Sequence, residues 1–269
     1  MNRTALRGAF MLAAVLGLAL AGCQGAPRPE PPASFRVMTY NIHHGQGLDG
    51  KVDLQRIAQL IKREHADIVA FQEVDKGVQR TARRDLPAEL SSLTGMSCVF
   101  SNNFHFQGGE YGNAVLTRFP LLSCTNTLYK MPRPAEQRGI LQLVLKVGGH
   151  ELVFMATHID FRRDDSERLS NVAEIQGLLQ HYQGRPVILC GDFNDTPDSR
   201  THAKLTEEFT DTWIAIGPGE GFSFPADKPD RRIDYIWLSK PTPITALKAW
   251  VPPSDASDHR PVVAEFQFQ

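Results

Sequence analysis

Polar side chains that can bind a metal ion or move a proton recur in this sequence where short apolar runs end or begin. They are Asn41, Glu73, His158, Asp192, Asn194, Asp234, Asp258 and His259. One such residue after a strand only marks the start of a loop, but a whole set of carboxylates, amides and imidazoles is harder to explain in that way. If these ends converge, they line one cleft with oxygen ligands, which suits a hard cation such as Mg²⁺.

The residue types favour Mg²⁺, with Mn²⁺ as an alternative, over Zn²⁺, because the sequence has no His-x-His pair and no cysteine-rich cluster. His43-His44 resembles a metal pair, but neighbours on a strand point to opposite faces. We therefore leave both outside the metal site, although one could touch substrate. Asp192 and Asn194 are two residues apart, so an extended chain would turn a carboxylate acceptor and an amide donor to the same side.

The apolar runs that precede these residues predict strands, several of them buried on both faces. The predicted strands are 35–40, 68–71, 114–116, 140–147, 152–156, 187–190, 233–238 and 262–266. Helical spacing follows Asp53, which is placed to cap a helix, and again follows Ser166. The mixture of a hairpin and strand–helix–strand units predicts an α/β protein with mixed sheets flanked by helices.

The amino-terminal residues have the pattern of a secretory signal. Arg3 and Arg7 precede an apolar run at 9–21, which is shorter than the roughly 20 residues that span a bilayer. The run ends in Leu20-Ala21-Gly22-Cys23, which resembles the bacterial lipoprotein cleavage box. The resemblance implies that Cys23 carries lipid and that Gln24 directs the protein to the outer membrane. The alternative is a chance cysteine at an ordinary cleavage site.

This pattern divides the chain into three parts. Removing the signal would leave 27 basic and 30 acidic side chains, a net charge of −3, because Arg3 and Arg7 are its only charged residues. Such a balance is not typical of a protein that grips the nucleic-acid backbone. The three parts are the signal peptide at 1–22, a lipid-anchored tether at 23–34 that is rich in Pro and Ala, and one folded domain at 35–269.

Three further cysteines are Cys98, Cys124 and Cys190. An oxidising compartment would permit one disulfide. We expect Cys98–Cys124 to be the pair, because Cys190 lies inside an apolar run.

Six short motifs occur in an order that resembles the endonuclease/exonuclease/phosphatase superfamily, which includes deoxyribonuclease I, exonuclease III, inositol phosphatases and neutral sphingomyelinases. The motifs are Thr39-Tyr40-Asn41-Ile42, Gln72-Glu73-Val74-Asp75, Thr157-His158, Gly191-Asp192-Phe193-Asn194, Arg232-Ile233-Asp234-Tyr235 and Ser257-Asp258-His259. The resemblance implies a four-layer α/β sandwich in which two mixed β-sheets pack face to face between helices. The site would lie at one edge of both sheets.

The resemblance also implies roles for single residues. Glu73 would be the main metal ligand, with Asn41 and Asp258 close to the ion. His259 would be the general base or the electrostatic partner of the phosphate, oriented by Asp234.

The remaining implied roles concern water and the phosphoryl group. Asp192 would position or deprotonate the attacking water. Asn194 and His158 would hydrogen-bond the phosphoryl oxygens, and Arg138 falls where related nucleases place a phosphate-contacting arginine.

These observations predict a Mg²⁺-dependent phosphodiesterase or phosphomonoesterase that acts on a small or lipid-borne phosphate. We expect a monomer in the cell envelope, anchored through Cys23 to the outer membrane and facing the periplasm. A lipid-anchored nuclease is the alternative, but the densest basic stretch, at Arg80, Arg83 and Arg84, could line the cleft or merely solvate a loop. A binding protein that has lost catalysis is a third reading, disfavoured because every expected catalytic position is filled.

Overall fold

A computed structural model describes Met1 and residues 34–269, so the predicted signal peptide, Cys23 and nearly all of the tether lie outside the described residues. Within the described part, no helix combines the length and apolar character needed to cross a membrane. The strands are β1 (Phe35–Asn41), β2 (Ile68–Lys76), β3 (Ser97–Phe106), β4 (Gly109–Thr117), β5 (Leu121–Leu128), β6 (Gly139–Val147), β7 (His150–His158), β8 (Val187–Asp192), β9 (Phe209–Asp211), β10 (Asp234–Ser239), β11 (Ile244–Trp250) and β12 (Val262–Phe268). The α-helices are α1 (Leu54–Arg63), α2 (Leu86–Thr94), α3 (Ser166–Leu179), α4 (Arg200–Leu205) and α5 (Thr212–Ile216).

The strands form two sheets of six. One has the order β11-β12-β1-β2-β4-β3, and the other has the order β5-β6-β7-β8-β10-β9. Both are mixed, because β1 and β2 are parallel, β7 and β8 are parallel, and the remaining neighbours are antiparallel. The predicted pair of mixed sheets is confirmed.

The central strands are buried on both faces, which is why they appear in the sequence as continuous apolar runs. In β1, Phe35 and Val37 belong to the core between the two sheets. Met38 and Tyr40 point the other way and pack in a second core with α1. On the outer face of the second sheet, Val172 of α3 belongs to a third core. The layers are therefore helix, sheet, sheet and helix.

Both helices that the sequence predicts are present, and α1 begins at its predicted capping residue. Asp53 accepts a hydrogen bond from the Gln55 backbone N–H, 2.9 Å away, at the start of α1. The second predicted helix is α3, which begins at Ser166. Strands β3, β5, β9 and β11 and helices α2, α4 and α5 were not predicted.

The expected Cys98–Cys124 disulfide is wrong, because both cysteines are free. Cys98 lies on β3, an edge strand of the first sheet, whereas Cys124 lies on β5, an edge strand of the second. Cys190 is also free and is buried in the core between the sheets.

Candidate active site

Strand register brings the polar residues to one end of both sheets. In the first sheet, Asn41 at the end of β1 lies opposite Gln72 of β2. In the second sheet, His158 at the end of β7 lies opposite Asp192, which in turn lies opposite Asp234. The carboxyl ends of parallel strands meet at the same sheet edge, so the fold itself collects these side chains.

A β-bulge aims Glu73 into the site. The pairing of β2 with β4 shifts register between Phe71 and Val74, and Glu73 within this irregularity has a φ of 60°. A left-handed conformation is costly for a residue with a β-carbon, and such strained conformations cluster at active sites. The bulge re-aims a single carboxylate without ending the strand.

Asn41 connects Glu73 to Asp192. Its Nδ2 donates to Oε1 of Glu73 and to Oδ2 of Asp192, each at 3.0 Å. Its Oδ1 accepts the backbone N–H of His43 at 3.1 Å, which fixes the orientation of the amide because a backbone nitrogen can only donate. Asn41 therefore holds carboxylates from the two sheets together.

Asp192 is the buried centre of the cluster, with 1% of its surface exposed. Oδ1 accepts the backbone N–H of Asn194 at 2.9 Å. Oδ2 lies 3.5 Å from Nε2 of His158 and 3.7 Å from Nε2 of His259. Burial raises the pKa of Asp192 and the negative charge of Asp234 raises it further.

His259 forms a buried ion pair with Asp234. Nδ1 lies 2.9 Å from Oδ2 of Asp234, which also accepts the hydroxyl of Ser223 at 2.7 Å. Burial disfavours the charged ring, but Asp234, with help from Asp192, outweighs it and raises the pKa of His259 from 6.5 to about 10.

His158 is also buried, but its pKa shifts in the opposite direction from that of His259. Its Nδ1 lies 3.1 Å from the Arg138 guanidinium, which can only donate, so this contact requires a lone pair on Nδ1. Burial, Arg138 and the charge of His259 lower the pKa of His158 well below its usual value. The side-chain nitrogen of Asn194 lies 3.0 Å from Nε2 and can also only donate, so the Arg138 and Asn194 contacts require opposite tautomers of the ring. Because its pKa is lowered, the ring of His158 is neutral at neutral pH.

Residues 38–259 match the sequence profile of the Endonuclease/Exonuclease/phosphatase family. The chain belongs to this family. Members of the family are hydrolases that act on phosphate esters. The family assignment and the α/β sandwich that the resemblance implied are both confirmed.

Relatives of the chain cover most of its length. It is 28% identical over 252 residues to YbhP, an uncharacterised protein of Escherichia coli strain K12, and the match covers 87% of this chain and 97% of YbhP. An endonuclease/exonuclease/phosphatase of Beutenbergia cavernae is similar in structure with a TM-score of 0.74 and 25% identity, over 87% of this chain and 72% of that one. The mannosyl-6-phosphatase Bt3783 of Bacteroides thetaiotaomicron has a TM-score of 0.73 at 19% identity, over 87% of this chain and all of that one. At that identity the last likeness shows the fold alone.

The cluster of polar residues around Asp192 opens into a cleft of about 320 Å³. Of the eight residues with which the sequence analysis began, Glu73, His158, Asp192, Asn194, Asp258 and His259 line it, and so does Arg138. Asn41 and Asp234 do not line the cleft but touch residues that do, through Glu73 and His259. The lining residues that the sequence analysis did not assign to the site are Arg80, Phe104, Phe106, Tyr111, Glu136, Phe161 and Phe224.

The sequence left open whether the basic stretch that contains Arg80 lines the cleft or only solvates a loop. The Arg80 guanidinium makes a two-pronged ion pair with Asp75, with both nitrogen–oxygen distances 2.8 Å, and Asp75 is fully buried. The same group lies 4.9 Å from the ring centre of Phe106 and 5.5 Å from that of Tyr111. Within the basic stretch, Arg80 therefore lines the cleft, whereas Arg84 pairs with Glu89.

Two local expectations fail because the backbone is not extended. Asn194 has a φ of 48°, so it reaches the cleft through a turn after β8. His43 and His44 belong to a 3₁₀ turn, with φ values of 44° and 45°, and their ring centres lie 4.4 Å apart. The strand rule that separated the two histidines does not apply to them.

Proposed function

We propose that this family hydrolase is a metal-dependent phosphodiesterase or phosphomonoesterase in which water attacks phosphorus in line. The observation that carries the proposal is the convergence of Asn41, His158 and His259 on the buried carboxylate of Asp192. A buried carboxylate with a raised pKa, between a neutral and a charged imidazole, is typical of a site for proton transfer.

The donor set at the cleft mouth fits a hard divalent cation. Glu73 and Asp258 offer carboxylate oxygens at the cleft surface, and the side chain of Asp258 remains 39% exposed. Mg²⁺ prefers a few carboxylates and completes its shell with waters and phosphate oxygens. A bound Mg²⁺ or Mn²⁺ would supply positive charge to the phosphoryl oxygens and the leaving group. Asn41 would orient Glu73 through its amide nitrogen.

Asp192 and His259 would have different roles in the attack of water on phosphorus. Asp192 would accept a proton from the attacking water, because its raised pKa makes it a stronger base than an ordinary aspartate. His259 carries its proton at neutral pH, so it would act as the electrostatic partner of the phosphate and not as the general base.

The neutral donors complete the phosphoryl site. Nε2 of the neutral His158 ring lies 3.5 Å from Asp192, and the amide nitrogen of Asn194, a donor, lies 3.0 Å from the same ring nitrogen. Such preorganised donors stabilise charge that develops on non-bridging oxygens. Arg138 would then hold the ring of His158 in place.

The cleft wall favours a small organic phosphate or a lipid headgroup over a nucleic-acid duplex. Its two guanidinium groups are already paired, Arg80 with Asp75 and Arg138 with Glu136 at 2.6 Å. Little uncompensated positive charge is left to follow a phosphate backbone. Because one fold neighbour is named a mannosyl-6-phosphatase, a sugar phosphate is included among the substrates to be tested. The lipid anchor at Cys23 would keep a monomeric enzyme in the outer membrane, facing the periplasm.

Hydrolysis by the purified full chain tests the proposal. The panel holds bis-p-nitrophenyl phosphate, p-nitrophenyl phosphate, mannose 6-phosphate, a phospholipid and plasmid DNA, each with Mg²⁺, Mn²⁺ or EDTA. We expect turnover of the diesters or monoesters with metal and none with EDTA. DNA cleavage as the fastest reaction would instead favour the anchored nuclease.

Variants test whether turnover depends on the proposed site residues. Glu73→Gln and Asp192→Asn should each abolish most turnover, whereas the exposed Glu220→Gln and Asp227→Asn should retain it. Full activity in a folded Asp192→Asn enzyme would contradict the proposed role of that carboxylate.

A further inference from the structure

Two histidines and a glutamate meet beside the proposed hydrolytic site. His43, His44 and Glu73 each offer a ligand atom, and these atoms all lie within 4.8 Å of one another. Metal bonds to imidazole and carboxylate are about 2.0–2.2 Å long, so ligands of one ion lie at most about 4.3 Å apart. The three atoms therefore lie slightly further apart than the ligands of one ion, and a change in side-chain torsion angles would bring them onto it.

His44 is held in the form that a metal requires. Only 7% of its surface is exposed, and Nε2 lies 3.0 Å from Oε1 of Gln46. That carbonyl oxygen can only accept, because Nε2 of Gln46 itself donates to the Gly50 carbonyl at 3.1 Å. The ring proton of His44 is thus on Nε2, and the lone pair is on Nδ1. Metal-binding histidines are oriented by such a bond from the other ring nitrogen.

The remaining ring nitrogen of His44, Nδ1, has no partner among the residues that the structure describes. It is buried and makes no hydrogen bond to any of them. A buried polar atom normally finds a partner, because leaving it unpaired costs about 1–3 kcal/mol. The missing partner of Nδ1 is an observation that points to a ligand.

The backbone of this turn serves to bring the rings together. Both histidines have left-handed φ values, which a residue with a β-carbon adopts at a cost of about 1–3 kcal/mol. An extended chain would have placed the rings on opposite faces. The bulge at Glu73 adds a third left-handed residue to the same small region.

The surrounding charges can balance a cation. The carboxylate of Asp258 lies 3.8 Å from Nδ1 of His43. The nearby positive group of Arg80 is neutralised by its ion pair with Asp75. A divalent ion would therefore meet more negative than positive charge.

We infer that His43, His44 and Glu73 form a binding site for a divalent transition metal ion, with Zn²⁺ as the best match. Two imidazoles and one carboxylate suit Zn²⁺ and its neighbours in the series, whereas Mg²⁺ and Ca²⁺ prefer oxygen ligands alone. The site shares Glu73 with the proposed Mg²⁺ site but differs from it in donor chemistry. The inference goes beyond the proposed function, and its test is metal binding, independent of turnover.

The test is a calorimetric titration of the full, metal-stripped chain with Zn²⁺ in the presence of millimolar Mg²⁺. It measures the number of Zn²⁺ ions bound and their affinity. The wild type should bind one Zn²⁺ that Mg²⁺ does not displace. His43→Gln and His44→Gln should weaken Zn²⁺ binding by more than the 10–100-fold that loss of an orienting partner typically costs. Cobalt in place of zinc should give visible absorption bands in the wild type that both variants lose. The matched control is His181→Gln, at an exposed histidine in a different part of the chain.

Gln46→Ala keeps the test decisive if a histidine variant fails to fold. It removes no ligand, and we expect a 10–100-fold loss of Zn²⁺ affinity from it. Equal affinity in the wild type and Gln46→Ala, an equal loss in His181→Gln, or no Zn²⁺ binding by the wild type would each overturn the inference. A wild type that binds Zn²⁺ but hydrolyses nothing would contradict the proposed function and leave this site standing.

Discussion

Nδ1 of His259 lies 2.9 Å from Oδ2 of Asp234, and the carboxylate of Asp234 is almost completely buried. The pair fixes the ring so that its other nitrogen, Nε2, faces Asp192 at 3.7 Å. A carboxylate in this position sets the tautomer of the ring and stabilises its charged form, as in catalytic triads. The charge of His259 is therefore set by a neighbour that does not itself line the cleft.

Asp234→Asn should lower kcat by about 10³–10⁴-fold, because the amide can hold the ring in the wrong tautomer and does not stabilise its charge. We expect KM to change much less. The measurement is steady-state hydrolysis of the best substrate, with Asp227→Asn as the matched control. His259→Ala should cost little more when added to Asp234→Asn, since the two act as a unit. Multiplicative losses in the double variant would contradict that coupling.

The pKa of His259 predicts how stability depends on pH in the metal-free protein. The folded-state pKa of about 10 lies above the ordinary value of 6.5, so the folded state binds this proton more tightly than the unfolded chain. The stabilisation is fully present below pH 6.5 and is lost as pH rises from 6.5 towards 10. Because the folded state keeps one proton that the unfolded chain releases, the free energy of unfolding falls by about 1.4 kcal/mol per pH unit in this window.

Urea unfolding in EDTA between pH 6 and 10 measures that slope. His259→Gln should be less stable than the wild type at pH 6 and should lose less stability as pH rises. The exposed His181→Gln should follow the wild type. A wild type whose stability rises from pH 7 to 10 would contradict the assigned direction of the His259 shift.

The sequence predicted the elements whose apolar residues are continuous. The central parts of strands β1, β6, β7 and β8 are buried on both faces, so most of their residues are apolar and the pattern was clear. Strand β5 was missed because nearly all of it is exposed at a sheet edge and its residues, such as Ser123 and Asn126, resemble a loop. Its pairing with β6 exists only in the folded sheet.

The site was predictable as a set of residue types but not as a geometry. Motif order indicated Asp192 and His259, but they meet only in the folded protein, where strand register pairs Asp192 with Asp234 and Asp234 holds His259. No pattern indicated the turn that joins His43 to His44, because it depends on left-handed backbone angles. The pairing of Arg80 with Asp75 was equally hidden, because it depends on a chain reversal between them and on the rings that pack over the guanidinium.

Arg80→Ala should destabilise the protein by about 3 kcal/mol, because it leaves the fully buried Asp75 carboxylate unpaired. Removing both groups in Arg80→Ala/Asp75→Ala should restore part of that loss. Urea unfolding of the two variants and the wild type measures the coupling. If Arg80 also contacts substrate, KM should stay raised in the double variant even where stability recovers. A single variant as stable as the wild type would contradict the importance of the ion pair.

Gly191→Ala should damage the site through the backbone alone. Gly191 lies opposite Thr157 in the parallel pair β7–β8, and a β-carbon at this position would collide with the Thr157 carbonyl oxygen. The strands must separate at the position that holds His158 against Asp192. We expect a loss of about 1–3 kcal/mol in stability from overpacking. A displacement near 1 Å should also lower kcat by about 100-fold.

Gly177→Ala is the matched control for this backbone effect. Gly177 lies inside α3, and a β-carbon there would meet no atom within 4 Å. Alanine should therefore stabilise the helix by about 0.5–1 kcal/mol and leave kcat unchanged. Thermal unfolding and steady-state kinetics on both variants test the contrast. Normal turnover in Gly191→Ala would mean that the spacing of β7 and β8 does not set the distance between His158 and Asp192 on which the proposed chemistry depends.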